Sequence, residues 1–366
     1  MKTNSTTPLI GLEDLQFTSR DARISPAQVR RRGLVKLRRG CYLEGNAVPE
    51  GAERWVVRKL VTQARAVATV TAAASGAALT MDASLAVRGI DTWGNTTDID
   101  YWPVGAGKNS VRTSLAQVQV QVRGIQVPPA RTIPHRASRS GTTTELIRGI
   151  PTVPLAETIL DLARFAHPLR AWVGITMAMR DMTCFDRRFL DESFARVETL
   201  RGELLTELQQ FREERGYKRA RAVVRGVDCG AESVGEAALL WILTILLREN
   251  TDLRAQFQSQ VEVHFQGRNY FMDVGFPNLP FRIEFDGVEK LTLDRGMARE
   301  FTRREHILNN LGWDSLALGF DSLRDVHGLA RMLVADLERR GVKTKTLGGP
   351  LWMPIPARLV DPRYLH

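Results

Sequence analysis

The chain is poor in the residues that staple small extracellular folds or build zinc sites. Among its 366 residues are three cysteines, Cys41, Cys184 and Cys229, and none forms a C-x-x-C pair. Neither a disulfide framework nor a zinc site follows, and a reducing, cytoplasmic setting is expected. Histidines stand at 135, 167, 264, 306, 327 and 366, without metal-ligand spacing. No apolar run approaches the roughly eighteen residues of a membrane span. The opening MKTNSTTPLIGLEDL has no signal-peptide core, so no membrane partner is expected. Acids are scarce relative to bases: 41 Asp and Glu face 51 Lys and Arg, for a net charge of +10 and a pI near 9.9. Such a balance favours a polyanionic partner. No internal repeat is visible. The length suggests two or three domains, and 43% hydrophobic residues leave ample material for their cores.

What stands out is the stretch Tyr270 to Gly287, YFMDVGFPNLPFRIEFDG. Two runs rich in β-branched and aromatic residues flank Pro277-Asn278-Leu279-Pro280, which predicts a β-hairpin. A turn centred on Asn278-Leu279 sets Phe276 opposite Phe281 and Asp273 opposite Glu284. Alternation along the second strand places Glu284 and Asp286 on one face and Ile283 and Phe285 on the other. Three carboxylates on one face repel each other. A divalent cation such as Mg²⁺ or Mn²⁺ would compensate, since hard oxygen ligands suit both. The competing reading is a solvated face on which Arg282 and Lys290 serve as partners.

The surroundings of the hairpin extend the pattern. Ser233-Val234-Gly235-Glu236 has the form of a capping box ahead of the apolar run Ala237 to Leu247, and puts Glu236 in the first turn of a buried helix. Gln258 and the alternating Val261, Val263 and Phe265 form a strand, followed by the turn Gly267-Arg268-Asn269. After the hairpin, Met297 to Leu311 reads as a basic helix with Arg299, Arg303 and Arg304, closed by Gly312 and Trp313. The expected order is helix, three strands, helix, strand.

From Ser233 to about Leu323 these features resemble the Vsr-like branch of the PD-(D/E)XK nucleases. The resemblance rests on Ser233/Glu236, Gln258/Val261, Asp273 ahead of Ile283-Glu284-Phe285-Asp286-Gly287, Arg303-Arg304-Glu305 with Leu308 and Leu311-Gly312-Trp313, and Asp321-Ser322-Leu323. It implies that Asp273 and Asp286 hold one or two divalent metals, that Glu284 is a neighbouring ligand or positions water, and that Glu236 contributes from the helix. Hydrolysis of a DNA phosphodiester is the implied reaction. The chain departs from the superfamily pattern in carrying Asp286 where a lysine is expected two residues after the Glu. It also offers Lys290 where many relatives have a histidine; a lysine can stabilise phosphate charge but is a poor general base at its ordinary pKa.

At the other end, residues 9 to 45 read as a winged helix-turn-helix: a helix over Leu9 to Phe17, a second opened by the capping box Ser25-Pro26-Ala27-Gln28, and a hairpin wing from Leu34 to Leu43. Gln28, Arg30, Arg31, Arg32, Lys36, Arg38 and Arg39 are the candidate DNA contacts, with Gln28 and one arginine placed to reach base edges. This segment resembles the winged-helix domain of AbiEi-type antitoxins. The middle of the chain resembles actinobacterial proteins that join that module to a Vsr-like nuclease, through Ala74 to Leu79, Leu85 to Ile90, Pro134-His135-Arg136 and Gly149 to Ala163.

Read from its residues alone, the middle is mixed α and β. Helices are expected over Arg54 to Val70, with Trp55, Leu60 and Val67 in the core, over Pro154 to Arg164, and over Leu169 to Arg180. Strands are expected over Asp98 to Trp102 and Val118 to Val122, with a loop over Gly105 to Ser110. Asp98 and Asp100 are taken as surface acids rather than a remnant nucleotidyl-transfer site, and His135 as a phosphate contact or a structural hydrogen-bonding group. One basic helix from about Asp191 to Arg225 would lead into the nuclease. The expected fold class is a multidomain mixed α/β chain, comprising a winged helix (1–48), a mixed α+β scaffold (49–190), a basic linker (191–227), a restriction-endonuclease-like core (228–340) and an extended tail (341–366) that Trp352 and Met353 could pin. The expected function is a metal-dependent DNA endonuclease, with double-stranded DNA as its expected partner, in defence or repair. A DNA-binding regulator with a non-catalytic nuclease-like domain is the alternative, and a homodimer or partner protein stays open.

Overall fold

The computed structural model describes residues 8–18, 24–73, 76–94, 98–103, 112–120, 124–135, 143–286, 295–361 and 363, with the backbone alone at 286 and 295–301. The chain is mixed α/β and divides into two compact units, 1–166 with 361–366, and 167–360. Among the described residues no helix is long and apolar enough to cross a membrane.

The first unit begins with a three-stranded sheet of order β1-β3-β2, formed by β1 (Leu15–Phe17), β2 (Val35–Arg38) and β3 (Cys41–Leu43). The helix expected over 9–17 is not there. Instead Leu15 N donates to Leu12 O, Gly11 N donates to the Asp14 carboxylate, and Leu15 to Phe17 pair with Leu43 to Cys41. A turn followed by cross-strand pairing overrides the weak helical preference of so short a segment. Helix α1 (Pro26–Arg31) opens with the expected box: Ser25 Oγ accepts from Gln28 N, and Gln28 Oε1 accepts from Ser25 N at 2.8 Å.

Helix α2 (Arg54–Ala72) is buried over most of its length. Leu60 and Val67 are fully enclosed, whereas Trp55 is half-exposed and donates to Glu53. Polar groups buried on α2 are satisfied by distant backbone: Gln63 bridges Ile10 N and Ala86 O, and Arg65 donates to Pro128 O and Ala116 O. The unit's mixed sheet has the order β10-β11-β4-β5-β9-β6, using β4 (Ala78–Leu79), β5 (Ile99–Trp102), β6 (Thr113–Leu115), β9 (Ala130–Pro134), β10 (Glu145–Ile147) and β11 (Ile150–Thr152). A small hairpin of β7 (Val118–Val120) and β8 (Ile125–Val127), helix α3 (Met81–Val87) and helix α4 (Leu155–Phe165) complete the unit. Asp98 and Asp100 are buried, which corrects their expected surface placement. Arg131 donates to Asp98 at 2.9 Å, and His135 Nε2 lies 2.7 Å from Asp100 Oδ1, so the acids have the partners that burial demands. The loop expected over Gly105–Ser110 lies outside the described residues.

The second unit starts with helices α5 (Pro168–Met182), α6 (Leu190–Leu208) and α7 (Tyr217–Gly226). The single basic helix expected over 191–225 is thus two, separated by residues 209–216, the last of which, Gly216, has a φ of +90° that no α-helix accommodates. Helix α8 (Val234–Leu246) is apolar on all sides, as a helix enclosed by neighbours must be. A four-stranded sheet follows, of order β12-β13-β14-β15: β12 (Gln258–Phe265), β13 (Arg268–Phe276) and β14 (Phe281–Asp286) are antiparallel, and β15 (Asp314–Gly319) runs parallel to β14 after helix α9 (Arg295–Asn310). The order of helix, three strands, helix and strand is therefore present. Helix α10 (Val326–Arg339) and the short α11 (Ala357–Val360) end the unit.

Residues 341–356 run across the end of α8 without a regular element. Lys345 N donates to Leu246 O, Arg248 to Thr346 O, and Trp241 Nε1 to Leu351 O at 3.0 Å, while Trp352 stacks on Trp241 with ring centroids 5.6 Å apart. This segment covers part of α8, which α5, α10 and the turn Phe320–Arg324 also meet. Trp352→Ala is expected to destabilise the second unit by about 1–3 kcal/mol, through the lost stack and the uncovered Trp241. Chemical denaturation followed by tryptophan fluorescence checks this; a midpoint equal to that of the parent would contradict it.

Candidate active site

Three elements converge on the acidic hairpin. The first is the start of α8, where Ser233 Oγ accepts from Glu236 N and donates to Glu236 Oε1 at 2.9 Å, while Glu236 Oε2 accepts from Glu232 N at 2.7 Å. Glu236 is 4% exposed, and these bonds occupy both of its oxygens at the helix N-terminus. Gly235 lies directly against Phe285, since a Cβ there would meet the Phe285 ring at 2.1 Å. This close approach brings the α8 N-terminus to the end of β14, on the strand face opposite Glu284.

The second is the hairpin itself. Phe276 pairs with Phe281, Gly275 with Arg282 and Val274 with Ile283, as the expected turn requires. One further step of this register sets Asp273 opposite Glu284. Asp273 Oδ2 accepts from Phe285 N at 2.8 Å, a bond to the main chain of the neighbouring strand at the point where the β13–β14 pairing stops. On the other side, Glu284 pairs with Ala317 and Asp286 with Gly319 of β15. The side chains of Asp286 and Arg299, and all of Lys290, lie outside the described residues.

The third element is α9, whose described side chains bind the hairpin through a buried charge network. Arg282, 0% exposed, donates to Glu284 Oε1 at 2.9 Å, to both oxygens of Glu305 at 3.0 and 2.8 Å, and to Asn309 Oδ1 at 3.2 Å. Arg304 donates to Glu284 Oε2. Arg282 is therefore the partner of Glu284, as the solvated-face reading had it, but on a dry face. Arg304, expected on DNA, is directed to Glu284, whereas Arg303 is exposed. On the first unit Gln28, Arg30, Arg31, Arg32, Lys36 and Arg39 are exposed; Arg32 pairs with Glu44 at 3.2 Å, and Arg38 donates to Ala68 O.

Burial pushes the Glu284 carboxyl up to about 7, helped by the charge of Asp273 and opposed by Arg304 and Arg282. Burial also works against the charge on Arg282, but its bonds to Glu305 and Glu284 outweigh that cost and hold its pKa above the ordinary value.

Gln258, the glutamine expected at the site, is exposed; Gln260, two residues on, is 1% exposed. Alternation favoured neither of the two. The distinguishing feature is a backbone one: Gln260 has φ +51° in the middle of a strand. Sheet faces exchange at this point. Ser259 Oγ bonds to Asp228 Oδ1 on the approach to α8, whereas Val261 and Met272 lie against Gly275, which pairs with the α9-facing Arg282. Val261 and Met272 also share a cluster with Ile307 and Leu308 of α9.

The chemistry of the donors fits a hard divalent ion, because carboxylates and amide oxygens suit Mg²⁺ or Mn²⁺. By the resemblance Asp273 and Asp286 would hold it; the Asp286 side chain lies outside the described residues, and each Glu284 oxygen already has an arginine. Among the described residues no group of three His, Cys, Asp or Glu side chains is gathered tightly enough to hold a metal. No protein family, curated protein or solved structure matches the chain.

The folded protein holds the Glu284 proton more tightly than the unfolded chain does. Its contribution to stability is thus full below the unfolded pKa near 4.5 and is lost as pH rises through about 7. The destabilisation caused by Glu284→Gln is expected to be larger at pH 5 than at pH 8, by about 2 to 3 kcal/mol. Urea melts of both proteins at the two pH values measure it. Equal penalties at both would show that Glu284 is ionised throughout.

Proposed function

We propose that the protein is a metal-dependent DNA endonuclease of the Vsr-like PD-(D/E)XK kind, with a winged-helix DNA-binding module in its first unit. The observation that carries this reading is the placement of Asp273, Glu284 and Asp286 where the β13–β14 pairing ends, at the end of β14 that the N-terminus of α8 meets, in a core of order helix, three strands, helix, strand. In the first unit, the capped α1 leading into the β2–β3 hairpin, with Arg30, Arg31, Arg32 and Arg39 exposed, supports a module that grips duplex DNA.

Each group then has a task. Asp273, fixed by the Phe285 N–H, and Asp286 would hold the ion, and the ion supplies charge neutralisation at the phosphate and a more acidic water. Glu284, buried and drawn up toward neutral pH, would accept or hand on a proton at its carboxylate once an arginine releases one oxygen. Arg304, half-buried at the same carboxylate, would turn its charge toward a scissile phosphate. The clamp on Glu284 by two arginines favours a second reading: a DNA-binding regulator whose nuclease-like unit serves as a binding fold.

Incubation of supercoiled and linear DNA with the purified protein in Mg²⁺, Mn²⁺ or EDTA separates the two readings. The nuclease reading expects metal-dependent nicking or cutting that falls at least about a hundredfold in Asp286→Ala with DNA binding retained. Binding without cutting under every metal condition would favour the regulator. In either case, changing Arg30, Arg31 and Arg32 to Ala should reduce the slope of log binding constant against log salt by about 2 to 3. An unchanged slope would remove α1 from the DNA interface.

A further inference from the structure

Helix α7 collects positive charge where a helix is least suited to carry it. Its sequence YKRARAVVRG holds Lys218, Arg219, Arg221 and Arg225 and no acid. Lys218 and Arg219 stand in the opening turn, next to the positive end of the helix dipole, where a carboxylate rather than a cation is favoured. Gly216, at the cap position, has no side chain to bond the free N–H groups of that turn. Lys218, Arg221 and Arg225 follow one another at helical spacing, which puts them on one side of α7, and all three are exposed.

Like charges so spaced repel, and the chain supplies no compensation. Among the described residues none of these three, nor the exposed Arg215 just before the helix, has a carboxylate partner. Acids are close in sequence and go elsewhere: Glu213 lies 3.8 Å from Arg212, and Glu198 of the neighbouring α6 accepts from Arg201 of its own helix. The opposite side of α7 holds the charged face still. Ala220, Val223 and Val224 are buried, and Gly226 lies so close to Trp172 of α5 that a Cβ would meet the ring at 2.8 Å. Arg201 donates to the carbonyls of Val224 and Val227, the latter at 2.8 Å. Arg219, half-buried, turns to Met353 Sδ at 3.3 Å, and burial together with the charge of Arg215 holds its pKa below the ordinary value. Arg215 is thus near enough to lengthen the row.

The chemistry of this face selects its partner. Helix α7 exposes no large apolar side chain that could seed a protein interface or enter a lipid surface. Its single aromatic residue, Tyr217, is half-buried and donates to Gln209 at 3.0 Å, so no ring is offered for an unpaired base to stack on. What remains is a row of long cations. From Lys218 to Arg225 it covers about 10 Å of helix, close to the axial rise of about three phosphates on one strand of a duplex.

We propose that the exposed face of α7, through Lys218, Arg221 and Arg225, grips the phosphate backbone of duplex DNA without regard to base sequence. This rests on the reading of the protein as DNA-binding, and gives the second unit a backbone contact of its own beside that of α1. Bound phosphates offset the repulsion that the chain leaves standing along the helix.

The full chain carrying Lys218→Ala, Arg221→Ala and Arg225→Ala is compared with the parent for binding to two short duplexes of unrelated sequence, by fluorescence anisotropy over a range of salt. Alanine favours the helix and the changes relieve repulsion, so the variant is expected to melt at or above the parent. Affinity is expected to fall by at least about tenfold at roughly 0.1 M salt, equally for both duplexes, with the slope of log binding constant against log salt smaller by about 2 to 3. An unchanged slope takes α7 off the DNA and overturns the proposal; if changing Arg30, Arg31 and Arg32 still lowers it, the DNA-binding reading stands. A parent that binds neither duplex ends both. Loss confined to one duplex would mean base contacts, and overturns the sequence-independent role. Binding of the parent to phosphatidylserine vesicles but not to duplex, lost in the variant, assigns the face to a lipid surface instead. Should the triple variant melt below the parent, Lys218→Gln with Arg221→Gln, which keeps most of each side chain and removes the charge, carries the same comparison.

Discussion

The buried guanidinium of Arg282 is the constraint around which the second unit is arranged. An arginine with no exposure is tolerable only with its charge matched, and Glu284, Glu305 and Asn309 take both of its terminal nitrogens. Because Glu284 sits on β14 and Glu305 and Asn309 on α9, satisfying one side chain fixes a helix to a strand. That attachment in turn holds β15, which follows α9 and runs parallel to β14. A hydrophobic trio of similar volume could stabilise the same contact as well or better. What charge adds is direction: the network determines which face of β14 is dry and which carboxylate is held, and so the chemical state of the acid next to Asp273.

A helix as apolar as α8 has to be covered on every side, and its cover comes from several parts of the chain, α10 and the turn Phe320–Arg324 among them. Strand β14 approaches its first turn through Phe285 and Gly235, α5 packs along its length, and residues 342–352 cross its far end. The candidate acids thus lie at one end of the most protected element of the unit. The mobile-looking composition of the Gly- and Pro-rich tail conceals a structural part: Val342 is fully buried and Leu351 nearly so.

Much of this was legible in the residues. The capping box Ser25/Gln28 forms as its spacing requires, because the bonds are local and the sequence holds both partners; Ser233 caps α8 through Glu236 N, while the Glu236 carboxylate takes Glu232 N and the Ser233 hydroxyl. The hairpin turn and the pairing of Phe276 with Phe281 follow from the two prolines. What stayed hidden depended on distant chain. Leu15 to Phe17 became a strand because β3 was there to pair with it. Asp98 and Asp100 went inside because Arg131 and His135 arrive from β9 and the residue after it. Arg304 looked like a phosphate contact until Glu284 was seen beside it, and nothing within α9 distinguishes it from the exposed Arg303. Gln260 was masked by Gln258, since strand periodicity carries no information about a φ angle.

The exchange of faces at Gln260 also bears on how the strand finds its place during folding. An amphipathic strand of uniform period can slide by two residues and still present apolar groups to the same side. β12 cannot, because Ser259 before the kink serves the approach to α8 and Val261, Val263 and Phe265 after it serve the α9 side. Any slip moves the kink away from Asp273 and sends Val261 and Val263 to the wrong partner helix. The irregular residue therefore acts as a register pin, and a mispaired β12–β13 intermediate would have no alternative core in which to rest.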